Sequence, residues 1–343
     1  MTAVAAPLLS ARSLRKHFPV RGGLLQRVQA VVQAVDDVSF DVRPGETLGI
    51  VGESGCGKST TARLLMRLIT PDAGDVVFGG AVVGTGGGLG LRELRRQMQM
   101  VFQDSYASLN PRLPAAMSIA YGPLVHGIPR ATALQRAAAL LEAVGLRPEL
   151  FANRYPHELS GGQRQRINIA RALALEPRLL ILDEAVSALD RSIGAQVLNL
   201  LIDLKRRFEL TYLFISHDLN VVQFVSDRVM VMYLGKVVEI GPVDDVYGNP
   251  LHPYTRALLS AMPSMDPDRR IEQAPLRGDP PNPINLPSGC RFRTRCAFAE
   301  DVCARHEPAL LGLHPGTEPK LSVGAHEAAC HMLVPGSGHT KAA

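Results

Sequence analysis

Apolar residues in this chain recur in two ways, as short unbroken runs and as longer stretches at helical spacing. The segments Glu46–Val51, Leu179–Leu182 and Leu210–Ser216 hold compact apolar runs. Runs of that length predict strands buried on both faces, as in a parallel sheet. Val35 to Val42 instead alternates, with Val35, Val38, Phe40 and Val42 apolar, and predicts a half-buried strand that ends at the Pro44-Gly45 turn. Residues 8–18 set Leu8, Leu9, Leu14 and Phe18 among polar neighbours, the pattern of an edge strand, and Arg21 to Gln33, with Gly22-Gly23, reads as a loop insertion. Met98 to Phe102 predicts a further strand, stopping at Gln103. Helical spacing begins at Thr61–Leu68 and dominates from Asp104 to about Tyr155. Ala131 to Val144 is the clearest helix, with Pro129 near its start and Gly145 just past its end. Two more helices are predicted, from Ser160 to Leu175 and from Asp190 to about Phe208.

Composition narrows the class. The chain has 343 residues, 46% hydrophobic and 20% charged, enough for one large domain and a smaller one. A net charge of +5, from 37 basic and 32 acidic residues, is too mild to argue for nucleic acid. No apolar run reaches the ~20 residues that span a bilayer. Met1 to Arg15 lacks a basic stretch followed by a long apolar one, so no signal peptide is expected. Five cysteines without an export signal point to a reducing compartment.

The chemistry is concentrated after the first apolar run. Gly52-Glu53-Ser54-Gly55-Cys56-Gly57-Lys58-Ser59-Thr60 fits G-x-x-x-x-G-K-[ST]. The glycines let successive backbone N–H groups turn inward onto phosphate oxygens, Lys58 offers a point charge and Ser59 a hydroxyl for Mg²⁺. A strand before this stretch and a helix after it complete the expected context of a nucleotide triphosphate site. A second glycine pair, in Leu159-Ser160-Gly161-Gly162-Gln163, opens a helix, and reads either as a backbone anion site or as an ordinary capped helix start. The run Leu179–Leu182 delivers Asp183 and Glu184 to the end of a central strand, where Asp183 suits Mg²⁺ and Glu184 suits accepting a proton from water. His217-Asp218 stands at the end of another strand.

Together, Gly52–Thr60, Gln103, Leu159–Gln163, Leu182–Glu184, Ser187–Asp190 and His217 resemble, in order, the signature elements of the ATP-binding subunit of an ABC transporter. Ser108–Arg112, Tyr155–Glu158 and Asn249–Thr255 are similar to the dipeptide/oligopeptide importers, and Gln99–Asp104 to their F-type subunit. The likeness runs over about residues 8–335. It implies an α/β RecA-like P-loop NTPase core with an antiparallel edge sheet and an inserted helical subdomain at about 104–165, the nucleotide-binding domain occupying 1–245 and a small irregular extension 246–343. It implies ATP hydrolysis driving peptide uptake, with glutathione, nickel or another small solute as alternative cargo, and a soluble ABC ATPase outside transport as the alternative machine. Carried over by residue, Gly52, Glu53, Ser54, Gly55, Cys56, Gly57, Lys58, Ser59 and Thr60 grip the phosphates, and Gln103 senses the γ-phosphate and Mg²⁺. Ser59 and Asp183 hold Mg²⁺, Glu184 is the general base, and His217 contacts the γ-phosphate. Ser160, Gly161, Gly162 and Gln163 complete the site of a facing ATPase subunit, and Phe18 is the candidate for stacking on adenine, alternatively an ordinary core residue. Implied partners are a second, different ATPase subunit, two membrane permeases docking near Gln103–Tyr121 and an extracytoplasmic binding protein, with no nucleic acid, at the cytoplasmic face of the membrane. Ser105 and Ala185 depart from the family's usual prolines without removing a ligand.

Past Gly241-Pro242 the chain turns irregular, with Pro263, Pro267, Pro275, Pro280, Pro281, Pro283 and Pro287. Cys290, Cys296, Cys303 and Cys330 follow at intervals of five, six and 26 residues, unlike the usual structural-zinc spacing. The resemblance implies a [4Fe–4S] ligand set, with Arg291, Arg293 and Arg295 as charge compensation; zinc, free thiols and disulfides stay open. Cys56 reads as a small residue at a variable loop position.

Overall fold

The computed structural model describes residues 6–22, 27–84, 87–262, 278–279, 281–312 and 326–342. In chain order the elements begin with β1 (Leu9–Gly22), β2 (Arg27–Val42), β3 (Thr47–Val51), α1 (Lys58–Leu65), β4 (Ala73–Phe78) and β5 (Ala81–Val82). There follow α2 (Leu91–Gln97), β6 (Met98–Val101), α3 (Ala115–Val125), α4 (Arg130–Ala143), α5 (Pro148–Phe151) and α6 (Gly161–Leu173). Then come β7 (Leu179–Asp183), α7 (Arg191–Arg207), β8 (Thr211–Ile215), α8 (Leu219–Val225), β9 (Arg228–Tyr233) and β10 (Lys236–Pro242). The last are α9 (Val243–Gly248), α10 (Pro253–Ser260), α11 (Asp301–Arg305), β11 (Leu311–Gly312) and β12 (Glu327–Ala328). Two compact units divide these elements, each assembled from separate stretches of chain.

One unit takes Met1–Leu8, Val42–Thr47 and Phe78–Ser216. Its centre is a parallel ladder in the order β8-β7-β6, with Leu182 opposite Val101 on one side and Phe214 on the other. Every residue of β7 and β8 is buried, which is why those segments carry apolar side chains without alternation. Helices α3, α4 and α6 pack on one another, and α6 also packs on β6 and α7. The apolar stripe of α4, Ala133, Ala137, Leu140 and Leu141, is buried, and Gly145 at φ +74 ends the helix beyond Val144.

The other unit takes Leu9–Asp41, Leu48–Val77 and His217–Ala343. Here β3 runs parallel to β9, β9 and β10 form an antiparallel hairpin, and β12 with β11 extends it beyond β10. The hairpin turns through Leu234 (φ 44) and Gly235 (φ 82), both left-handed as a two-residue turn requires. A second sheet in this unit has the order β2-β1-β4.

Two expectations fail there. Residues 8–18 do not form an edge strand: β1 lies between β2 and β4. Its polar residues are those of a sheet with one solvated face. Nor is Arg21–Gln33 an insertion loop, because β1 continues to Gly22 and β2 starts at Arg27. The Gly22-Gly23 pair hid the β-branched Val28, Val31 and Val32, which suit extended backbone even where Val28 and Val31 stay exposed. Pro281, Pro283 and Pro287 lie in irregular chain as expected, whereas Pro263, Pro267, Pro275 and Pro280 fall outside the described residues. Among the described residues no helix is long and apolar enough to cross a membrane.

Candidate nucleotide site

The loop Gly52–Gly57 joins β3 to α1, and its shape is set by three glycines at positive φ, Gly52 (148), Gly55 (79) and Gly57 (107). Two of them are also demanded by space. A Cβ on Gly52 would lie 2.2 Å from the Met232 carbonyl oxygen, and one on Gly57 2.3 Å from that of Ala34. The loop is tied to the β9–β10 turn, since Gly235 N–H donates to the Cys56 carbonyl at 2.9 Å. Lys58 is buried, and its ammonium donates to the carbonyls of Gly52 (2.7 Å) and Glu53 (3.0 Å) with the Cys56 sulfur at 3.7 Å. A cation bound inside a curled backbone, at the start of a helix whose first N–H groups lack intrahelical partners, is the furniture of an anion site. Burial pushes the Cys56 thiol up, though Lys58 opposes it, so this cysteine stays a neutral packing residue.

Two residues that the sequence did not connect with this loop, Tyr254 and Arg295, attach to it. Glu53 N–H donates to the Tyr254 hydroxyl at 2.9 Å, and both Glu53 carboxylate oxygens accept from Arg295, at 2.7 and 3.1 Å. The other interleaved arginines are likewise committed to protein groups. Arg291 pairs with Asp36 and bonds Gln33 and the Leu234 carbonyl, and Arg293 bonds the Ser288 carbonyl at 2.9 Å. Arg291 and Arg295 thus have carboxylate partners, Asp36 and Glu53. Phe18, half-buried on β1, has the Lys16 ammonium 5.5 Å from its ring centroid. His217, also of this unit, is exposed, and the next residue, Asp218, caps α8 by accepting from the amides of Asn220 and Val221.

In the β8-β7-β6 unit the strand β7 ends on Asp183, which is buried, followed by Glu184 at φ 48. That left-handed residue breaks the strand, and its N–H still bonds the Ile215 carbonyl at 2.9 Å. Gln103, two residues beyond β6, donates from its amide to the Glu184 carboxylate at 2.8 Å. The structure thus joins two of the residues singled out from sequence as catalytic. Ala185 is buried, and the Ser105 carbonyl accepts from the Asn168 side-chain amide at 3.0 Å. Ser160 and Gln163 form a reciprocal capping box on α6: the Ser160 hydroxyl accepts from Gln163 N–H, and the Gln163 side chain accepts from Ser160 N–H. The cap settles the helix start and leaves Gly161 and Gly162, in the first turn, with N–H groups that no preceding turn of helix can satisfy. Gly162 is buried, with the Ile193 Cγ2 atom 2.5 Å from where its Cβ would be, so packing alone already requires glycine.

The four tail cysteines meet. Cys290, Cys296, Cys303 and Cys330 line one cavity of about 20 Å³ together with His252, Phe292, His331 and His339. Burial first, then their mutual proximity, pushes Cys290 up to about 12 and Cys330 up to about 11 despite backbone amides that favour the thiolate. Among the described residues no group of three or more His, Cys, Asp or Glu is arranged to hold a metal ion, so the ligand set expected for a [4Fe–4S] cluster is not formed as the cysteines stand.

A lysine-bearing phosphate loop between a buried parallel strand and a helix, in a chain that also pairs a glutamine with a strand-end glutamate, defines a P-loop ATPase. The family model described as ABC transporter matches residues 35–187, and the one described as oligopeptide/dipeptide transporter, C-terminal region, matches 238–303. A Brucella ovis protein named for peptide import and ATP binding is 53% identical over 311 residues, 90% of this chain and 96% of that one. The oligopeptide transport ATP-binding protein AppF of Bacillus subtilis is 49% identical over 329 residues, 95% of this chain and 97% of its own. A dimeric ATP-binding cassette solved in a post-hydrolysis state with ADP and Pi superposes at TM-score 0.59 with 28% identity, covering 68% of this chain and 98% of that one. The chain belongs to the ABC transporter family, among the ATP-binding proteins of its oligopeptide and dipeptide importers. It is an ABC-type ATPase with ATP and Mg²⁺ as its cofactors.

Proposed function

We propose that this ATPase powers uptake of dipeptides or oligopeptides through a membrane complex, and that residues 1–245 supply the nucleotide chemistry. The observation that carries the reading is the buried Lys58 ammonium, held by the Gly52 and Glu53 carbonyls inside a loop of left-handed glycines. A group already pointing inward costs little to hand over to phosphate oxygens. In this scheme Gly52–Thr60 bind the phosphates, Ser59, Asp183 and Gln103 attend Mg²⁺, and His217 meets the γ-phosphate. Phe18 stacks on adenine. Glu184 takes the proton of the attacking water, and its bond to Gln103 holds that carboxylate in place until the ion arrives. Ser160 to Gln163 act toward a facing ATPase subunit of a different sequence, and two permeases and an extracytoplasmic binding protein complete the complex at the cytoplasmic face of the membrane. The names of the Brucella ovis and Bacillus subtilis relatives support peptides as cargo. The test replaces Glu184 with Gln in cells that need an external peptide for a required amino acid. Peptide uptake and steady-state ATPase fall by about 10²- to 10⁴-fold while purified protein still binds ATP. Undiminished turnover removes Glu184 as the base, and loss of glutathione or nickel uptake with peptide uptake intact reassigns the cargo.

A second reading is favoured by the convergence of the four cysteines on one cavity. Four thiols on one cavity wall are the donor set a [4Fe–4S] cluster uses. His252, His331 and His339 line the same cavity, and the present space admits about one water-sized body, so the thiols would have to move apart to take it. Cys290, Cys296, Cys303 and Cys330 would hold it, and it would supply a one-electron redox centre. Iron and sulfide at about four each per chain in anaerobically purified protein support this reading. Metal-free protein with all four thiols titratable rejects it.

A further inference from the structure

A carboxylate in a loop that holds phosphate is an electrostatic liability, and Glu53 is such a carboxylate. The structure neutralises it. Arg295 meets Glu53 with two parallel bonds, Nη1 to Oε2 at 2.7 Å and Nη2 to Oε1 at 3.1 Å, the strongest geometry available to this pair. The Arg295 side chain is 5% exposed and that of Glu53 22%, so solvent screens the contact only in part. The guanidinium is itself held, with the Tyr233 hydroxyl 3.4 Å from Nη1 and the Tyr233 ring centroid 6.0 Å away. Tyr233 in turn packs on Tyr254 at 4.6 Å and meets Phe292 edge-on at 5.4 Å. Tyr254 accepts the Glu53 N–H, and the Glu53 carbonyl accepts from Lys58. One loop residue is thereby fixed at its carboxylate, its amide and its carbonyl, and two of the three anchors come from beyond residue 250.

We propose that Arg295 is a positioning residue for ATP: it pairs the Glu53 carboxylate away from the phosphates and, with Tyr254, holds the Glu53 peptide where Lys58 needs it. The inference rests on reading Gly52–Thr60 as the phosphate loop. Arg295 acts through Glu53 and touches no reacting atom. The extension after residue 245 thus sets nucleotide affinity.

The experiment uses the purified full chain with Mg²⁺ and a fluorescent ATP analogue, together with steady-state ATPase kinetics. Arg295→Ala raises both Kd and KM for ATP about tenfold and changes kcat by less than about twofold. Arg295→Lys recovers only part of the affinity, because an ammonium does not reproduce the fork. The double variant Arg295→Ala/Glu53→Gln returns to within about threefold of the parent, since no charge is left to oppose the phosphates. Added salt narrows the gap between Arg295→Ala and parent. Tyr254→Phe removes only the hydroxyl that accepts the Glu53 N–H, keeps the ring against Tyr233 and raises Kd for ATP about threefold or more, which provides a readout even if Arg295→Ala folds poorly. Parental affinity in Arg295→Ala, a double variant weaker than Arg295→Ala, or parental affinity in Tyr254→Phe overturns the proposal. Lys58→Ala separates the two levels. If it loses ATP while Arg295→Ala keeps it, the Arg295 role alone fails; if it binds ATP as the parent does, the phosphate-loop reading falls and the proposal with it.

Discussion

Replacing Gly57 by Ala tests the phosphate loop more sharply than removing a charge, because the structure predicts where the strain goes. Gly57 sits at φ +107 and ψ 0, just before α1. The new Cβ would be 2.3 Å from the Ala34 carbonyl oxygen and 3.5 Å from the Gly235 Cα. Carbon–oxygen contacts settle near ~3.3 Å or more, so about 1 Å must be found between backbone segments. Neither side yields freely: Asp36 N–H bonds Gly235 O, and Gly235 N–H bonds Cys56 O, both at 2.9 Å. Backbone strain of about 1–3 kcal/mol and a weakened hydrogen bond of about 1 kcal/mol give a loss of about 2–4 kcal/mol. Gly55 is the control. Its φ of +79 is also left-handed, yet nothing lies within 4 Å of an added Cβ. Gly55→Ala should therefore cost only about 1 kcal/mol. In nucleotide-free thermal unfolding of this 343-residue chain, Gly57→Ala lowers Tm by about 3–6 °C and Gly55→Ala by about 1–2 °C. Equal shifts in the two variants, or an unshifted Gly57→Ala, would show that the approach to Ala34 does not constrain the loop.

Lys58→Ala removes a buried ammonium with two carbonyl partners, and calorimetric ATP affinity should fall about 30- to 100-fold; a change under about threefold counts against its role. Burial, more than the opposing pull of Glu239, lowers His252 to about 4, so the folded protein keeps this ring neutral. Between pH 6.5 and about 4 the unfolded chain binds the proton that the folded one refuses. The resulting stability is complete above pH 6.5 and is lost as pH falls toward 4, by about 3 kcal/mol in all. His252→Asn keeps a side-chain acceptor for the Tyr254 N–H that His252 Nδ1 now receives at 3.0 Å. Urea unfolding should show a flatter profile over that pH window in the variant, and an unchanged slope would assign the titration to other groups.

The sequence exposed whatever depended on local order. The phosphate loop, β3, β7, β8, α4 and the strand-end pair Asp183-Glu184 all follow from short runs whose periodicity and glycines carry their own meaning. The bond from Gln103 to Glu184 was half visible, because each residue ends an apolar run, while their contact depends on β6 and β7 being neighbours. Arg21–Gln33 was misread because two glycines outweighed three valines, although hydrogen bonding along β1 decides that segment. The partner of Arg295 was missed for a different reason. Among cysteines this arginine looked like a counter-charge to a cluster, and no sequence rule couples it to a glutamate so far upstream. Four cysteines at irregular intervals did not announce that they would face one cavity either, since α11 and the chain around Cys290 bring them together.

The pair Glu53–Arg295 spans 242 residues of sequence. At about 5–20 residues per second, the ribosome delivers Arg295 roughly 12 to 48 seconds after Glu53. Throughout that interval the nascent chain carries an acidic phosphate loop without its counter-ion. The nearly complete run Phe78–Ser216 emerges meanwhile and has its own ladder to form, whereas the stretch bearing the loop must wait for the end of translation. By the proposal above, a growing polypeptide without Arg295 binds ATP about tenfold more weakly than the chain that carries it. Full nucleotide affinity then arrives with residue 295, and products released before it would compete about tenfold less well for the cell's ATP.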